Sequence, residues 1–194
     1  MLINESFMMF DQEWFVIRFL ENNGAAFGFL GDSGEATKIG LTLFRIIVVI
    51  GGIYYVKKII KRLSAGAIIA ISLIIGGAVG NIVDSTFYGI VFTESDVYNP
   101  WLENQQEPAK IFSDHKGYSS LFQGKVVDMF SFKIFQIDLP QWLAIPIPFS
   151  DKTLLSILEG YDNVFTFFEP VFNLADAGIS IGIFMLICFY RNEF

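Results

Sequence analysis

A chain of 194 residues suggests one domain, and 53% hydrophobic and 16% aromatic residues with a mean hydropathy of +0.52 point away from an ordinary soluble protein. Its 22 Phe would be a liability in water but not in a bilayer, and a formal net charge of -7 argues against a nucleic-acid partner. A single cysteine, Cys188, excludes an internal disulfide or a thiolate metal cluster, and the lone His115 in a polar stretch disfavours a His-based catalytic or zinc site. Chemistry, if present, should rest on carboxylates, with no metal and no cofactor.

Residues 1–37 do not form a signal peptide, because Asn4, Glu5, Asp11, Glu13 and Arg18 interrupt every apolar run. Trp14 to Leu20 is short and β-prone, and Asn22-Asn23-Gly24 supplies turn chemistry, so a strand followed by a turn is predicted. Ala25 to Leu30 is small and apolar enough for a re-entrant or interfacial segment.

Residues 39–56 are apolar apart from Thr42 and Arg45, long enough to cross a hydrocarbon core as a helix, and Lys57, Lys58, Lys61 and Arg62 follow directly. Residues 65–83 form a second predicted span, in which Gly76 and Gly80 make a small-x-x-x-small pattern for close helix packing. Residues 91–170 are polar and aromatic and carry six prolines, Pro100, Pro108, Pro140, Pro146, Pro148 and Pro170, too interrupted to span. A third span is predicted over 171–190.

The basic loop after the first span should face the cytoplasm, which places 1–37 and 91–170 on the outer side. On this reading one span is missing before Met1, and truncation relative to a four-span parent is the simplest expectation. Trp14, Trp101 and Trp142 are expected to anchor the external region at the membrane interface.

Three acids stand in apolar frames: Asn81-Ile82-Val83-Asp84, Gly124-Lys125-Val126-Val127-Asp128 and Asn173-Leu174-Ala175-Asp176. An ionisable group at the edge of hydrocarbon is expensive and points to function. The bland readings are a first-turn helix charge for Asp176, a surface loop acid for Asp128, and capping or turn duty for Asn22, Asn81 and Asn173. Arg45, about 10 Å inside its helix end, is expected to pair with Asp84, the alternative being a side chain that snorkels to the interface.

Four motifs in order, Asn22-Asn23-Gly24-Ala25-Ala26-Phe27, Gly76-Gly77-Ala78-Val79-Gly80-Asn81-Ile82-Val83-Asp84, Gly124 to Asp128, and Phe172-Asn173-Leu174-Ala175-Asp176, resemble the prolipoprotein signal peptidases, signal peptidase II, in a Bacteroidetes-type form. The resemblance implies a transmembrane helical bundle, mainly α, with three spans visible and four in the family, and a small extracytoplasmic β-cradle. It implies an aspartic endopeptidase of the bacterial inner membrane, with its active site on the periplasmic side, that cuts a diacylglyceryl-modified prolipoprotein just before the lipidated cysteine. Asp128 and Asp176 fall on the catalytic dyad. Asn22, Gly24, Asn81, Asp84, Asn173, Ala175 and Arg45 are the expected supporting or substrate-binding positions, Arg45 from the residue reading above. Membrane lipid and globomycin-type inhibitors are implied partners, and a monomer is expected. The family's first helix has no counterpart, Asp84-Ser85 stands where an Asp-Arg pair is usual, and the stretches 88–124 and 129–170 are longer than in the common form. An inactive lipoprotein-binding or regulatory relative that has lost the first helix is the alternative. An ion or proton carrier ranks last because the acids are expected near the span ends.

Overall fold

The computed structural model describes residues 1–9, 12–23, 34–102, 105–111, 116–133, 135–138, 164–167 and 170–194, with backbone alone for 12–13, 135–138 and 164–167. The expectations for Gly24, the 25–30 segment, His115 and Trp142 lie outside these residues.

Three apolar helices organise the chain. Helix α1 is Glu35–Ile59, prolonged by a 3-10 turn Ile60–Arg62; α2 is Ala65–Val91; α3 is Leu174–Met185, prolonged by a π turn Leu186–Tyr190 and a 3-10 turn Arg191–Glu193. With these extensions, all three are long and apolar enough to cross a membrane. Their large apolar side chains point outward, as at Phe44, Ile47, Ile69, Ile181 and Phe184, the arrangement expected where the surroundings are hydrocarbon rather than water.

Helix α2 is longer than the expected 65–83 and runs on to Val91. Asn81 and Asp84 therefore sit well inside it, Asp84 seven residues or roughly 10 Å before its end. The last carbonyls of α2 are covered by the 117–124 loop: Gly124 N–H donates to Ser85 O (2.8 Å), Phe122 to Thr86 O (3.1 Å) and Ser119 to Gly89 O (2.8 Å). A Cβ at Gly124 would collide with the α2 backbone at Asp84, which explains glycine there. Phe122 takes a left-handed φ of 66°, an outlier for a bulky residue, at the turn where this loop doubles back.

α2 and α3 pack backbone to backbone. A Cβ at Gly77 would strike the Ala175 carbonyl and Ile179, and one at Gly182 would strike the Ala70 carbonyl and Ile74. Of the expected pair, Gly80 faces α3 but Gly76 does not: a methyl placed on Gly76 would meet nothing within 4 Å, and its neighbour Gly77 makes the close contact. The physical reason is phase: Gly77 lies on the stripe of Ala67, Ala70 and Ile71 that α2 buries, and Gly76 is rotated about 100° away from it.

Strands β1 (Ser6–Met9), β2 (Gln12–Asn22) and β3 (Val126–Phe132) form an antiparallel sheet in that order, and β4 (Phe135–Asp138) pairs with β5 (Val164–Phe167). β2 contains the expected Trp14–Leu20 strand and extends it at both ends. β3 joins β2 from far along the chain, a pairing that neither segment's local pattern announces. The pairing runs from Phe15↔Phe132 to Ile17↔Phe130, then resumes at Leu20↔Asp128 and Asn22↔Val126. Arg18 and Phe19 together oppose Met129, a bulge that keeps Ile17 and Leu20 on one face despite their odd spacing. Asn22 and Asp128 consequently point the same way.

Candidate active site

The segment before α3 brings the two main acids together. Phe172 bridges to Phe130 on β3, its N–H donating to Phe130 O (3.0 Å) while its own carbonyl accepts from Phe130 (2.8 Å) and Met129 (3.1 Å). Rings of Phe130, Phe132 and Phe172 pack over this junction. Asn173, the next residue, is the N-cap of α3 and lands beside Asp128 on β3.

Asn173 uses its whole amide. Its Oδ1 accepts from the Asp176 backbone N–H (2.9 Å), and its Nδ2 donates to Asp128 Oδ1 (2.9 Å) and to Asn81 Oδ1 (3.1 Å). Asn81 in turn donates to Asp176 Oδ1 (2.8 Å), and Asn22 donates to Asp128 Oδ2 (2.9 Å). The Asp176 carboxylate also closes a capping box by accepting from the Asn173 N–H (3.4 Å). The result is one continuous chain, Asn22 to Asp128 to Asn173 to Asn81 to Asp176, contributed by β2, β3, the α3 cap, α2 and α3. Capping is therefore a genuine duty of Asn173 and Asp176, and it coexists with the asparagine link between the acids: the cap fixes the amide so that its two N–H groups are aimed outward from the helix end.

Asp128 is 2% exposed and Asn173 7% exposed. Burial raises the Asp128 pKa above the usual carboxylate range, and the charges of Asp176 and Asp84 add to this; the amides of Asn22 and Asn173 hold the anion and oppose it. Asp176 stands in the first turn of α3, where the helix dipole favours negative charge.

The remaining expected positions fall as follows. Asp84 lies near the Tyr88 hydroxyl one turn on and contributes its charge to the Asp128 surroundings. Arg45 is half-buried on α1, but the ion pair expected with Asp84 does not form: the ion pairs seen among the described residues are Lys110 with Glu107 and Lys125 with Glu21. Among the described residues, the Asp176 carboxylate is one whose charge reaches Arg45. Similar depth on two helices does not make two side chains face each other, and Asp84 lies beside Tyr88 on its own helix. Ala175 is a packing residue, its carbonyl and Cβ lying against Gly77 and Gly80. Trp14 and Trp101 are 50% and 90% exposed.

Tyr88, Tyr118, Glu21 and Lys125 are polar neighbours of the site that motif reading passes over. The signal for Lys125 and Glu21 is only that each adjoins a motif, Lys125 within Gly124 to Asp128 and Glu21 directly before Asn22.

Fold and site together define a helical membrane protein whose small antiparallel sheet delivers one acid to another at the start of a transmembrane helix. The family model for Signal peptidase (SPase) II matches residues 1–191, and the chain belongs to that family. A lipoprotein signal peptidase of Porphyromonas gingivalis is 38% identical over 183 residues, covering 92% of this chain and 69% of that protein. One from Amoebophilus asiaticus is 29% identical over 176 residues, covering 90% and 60%. Among solved structures, a bacterial membrane enzyme determined by the in meso method matches with a TM-score of 0.51 at 24% identity, covering 99% of this chain and 74% of that one, a likeness of fold.

Proposed function

We propose that this chain is an aspartic endopeptidase that removes signal peptides from diacylglyceryl-modified prolipoproteins, cutting just before the lipidated cysteine. The observation that carries the reading is the asparagine-linked chain of hydrogen bonds running from Asp128 to Asp176. It holds two carboxylates of unequal surroundings in fixed relation, which is what general acid–base hydrolysis of an amide requires.

Asp128, whose burial favours its neutral form, holds the shared proton; Asp176 is the base. Water placed between them attacks the scissile carbonyl carbon. Asp176 takes the proton leaving that water, and Asp128 gives its proton to the carbonyl oxygen. The tetrahedral diol then collapses: the C–N bond breaks, the proton on Asp176 passes to the departing amine, and a diol hydroxyl returns its proton to Asp128. Atoms and charges balance without an acyl-enzyme. Asn22, Asn81 and Asn173 hold the two acids through this cycle and are the groups that keep Asp128 from sitting in a purely apolar hole.

Lys57, Lys58, Lys61 and Arg62 are exposed at the α1–α2 link, the opposite end of α2 from Asn81 and Asp84. By the positive-inside rule the link faces the cytoplasm, so the acids lie toward the outer face of the bacterial inner membrane, where a translocated prolipoprotein would present its cleavage site.

The test is mass-spectrometric analysis of a diacylglyceryl-modified prolipoprotein peptide incubated with the purified chain in detergent, beside the same peptide without lipid. Cleavage before the modified cysteine only in the lipidated peptide is the expected result. Saturable binding of that peptide with no product would instead identify a binding-only relative.

A further inference from the structure

We propose that Glu21, Lys125 and Tyr118 form a positioning clamp that sets the hydrogen bond from Asn22 to Asp128, and so sets how tightly Asp128 holds its proton. The proposal rests on the dyad reading above, and it assigns a role to three residues that the dyad mechanism does not use.

The geometry is a joint of three elements. Lys125 Nζ lies 2.5 Å from Glu21 Oε2 across the β2–β3 ladder, and its ammonium sits 5.3 Å from the centre of the Tyr118 ring. The Lys125 backbone N–H donates to the Tyr118 hydroxyl oxygen (2.7 Å). Tyr118 is itself fixed to the end of α2, its N–H donating to Phe92 O (2.9 Å). Glu21 and Lys125 flank the ladder pair Asn22↔Val126, and Asp128 is two residues beyond Val126 on the same face. The clamp therefore ties the last residues of β2 to both β3 and α2 at the position where Asn22 must reach Asp128. Without it, Asn22 is the terminal residue of its strand, where ladder pairing is weakest and fraying is expected.

The pair is half sheltered rather than solvent-washed, with side-chain exposures of 27% for Lys125 and 12% for Glu21, so it is a stiffer link than a surface salt bridge. Tyr118 stays a neutral phenol through the working pH range. Burial first, then the charges of Glu21, Asp84 and Tyr88, push its pKa up to about 12 against the opposing Lys125 N–H.

Among the described residues, the charged groups that act on Asp128 are Asp176 from α3 and Asp84 from α2, with the Asn22 and Asn173 amides as the donors. Loosening the clamp removes the Asn22 donor, which favours the anion, so Asp128 should then hold its proton to higher pH.

This sign separates the clamp from simple through-space charge. As charges alone, Glu21→Gln removes a negative group and would make Asp128 lose its proton at lower pH, whereas Lys125→Met removes a positive group and would do the reverse. As a clamp, both substitutions, and Tyr118→Phe with them, move Asp128 in one direction, upward.

The experiment is an infrared titration of the full chain in detergent, following the protonated carboxyl band that Asp128→Asn abolishes, with kcat/KM against pH on the lipidated peptide in parallel. The clamp predicts roughly threefold tighter proton binding at Asp128 in Glu21→Gln and in Lys125→Met, a partial weakening of the one hydrogen bond from Asn22. It predicts a matching upward move of the alkaline limb, and recovery of both in the charge-reversed pair Glu21→Lys with Lys125→Glu. Shifts of opposite sign, or no shift with an unaltered fold, would overturn it. Because the infrared band needs no turnover, a chain that fails to cleave but shows the common upward shift would retire the peptidase reading and leave the clamp standing. Should Lys125→Met not fold, Glu21→Gln and the reversed pair decide the matter.

Discussion

The two ends of the α2–α3 pair are held together by opposite means. Toward the link carrying Lys61 and Arg62, the helix bodies meet by absence of side chains, with Gly182 on the Ala70 carbonyl and Ala67 and Ala70 fully buried, and only the very end adds a polar bond, Ser64 to Glu193. Toward the other end, contact is made by polar groups, Asn81 with Asn173 and Asp176. Gly77 and Gly80 against Ala175 stand between the two zones. The contrast teaches a division of labour. Close backbone packing fixes the spacing of the helices, and the polar end uses that fixed spacing to hold hydrogen bonds of 2.8 and 3.1 Å between them.

The largest way to break the polar zone is Asp176→Asn, for which the account expects cleavage to fall at least about a thousandfold, since acid–base partners act together. The packing zone breaks next. Gly77→Ala pushes a methyl against the Ala175 carbonyl and should lower stability by about 1–3 kcal/mol, with cleavage falling too because Asp176 adjoins Ala175. Gly76→Ala meets nothing and should leave unfolding in detergent unchanged. A finer cut separates the two duties of Asn173. Asn173→Ala should cost about 1 kcal/mol through the lost cap, and Asn173→Ser should recover most of that because serine also caps. Neither should recover cleavage, because neither supplies the N–H groups to Asp128 and Asn81. Smallest, Ser64→Ala at the far end removes the α2 cap and the side-chain bond to Glu193, costing about 0.5–1 kcal/mol with no change in kcat.

The pH profile sharpens the same comparison. The Asp128 pKa is raised in the fold, so its proton stabilises the folded protein at low pH, and that contribution is lost as pH rises through the raised value. The acid form is also the one the mechanism needs. The alkaline limb of kcat/KM should therefore lie above the ordinary carboxylate range near 4 and should move further up in Asn22→Ala, which deletes a donor to the anion.

How much of this can be read in the sequence differs between the same two zones. The three apolar spans and the Asn-x-x-Asp grammar are local patterns, so they are legible, and the family with them. The helix ends are not: α2 runs on to Val91 because its carbonyls are covered by the 117–124 loop, a contact made from well beyond the helix in the chain. Spacing alone finds Gly80 but picks Gly76 where Gly77 makes the contact, because a repeat does not say which face meets a neighbour. Arg45 and Asp84 are expected at similar depth, yet depth along a helix does not fix direction around it. Asp128 reaches the site through pairing of β2 with β3, whose Asn22 and Asp128 stand 106 residues apart, and only the motif order hints at that.

The central claim is that Asp128 and Asp176 work as one unit joined through Asn173 and Asn81. The most direct measurement is kcat/KM on the lipidated peptide for Asp128→Asn, Asp176→Asn and the double variant, with folding of each checked by thermal unfolding. The account predicts that either single change costs about as much as both together, as for groups that share one proton transfer. Losses that multiply, or a single variant that keeps most of the activity, would contradict it.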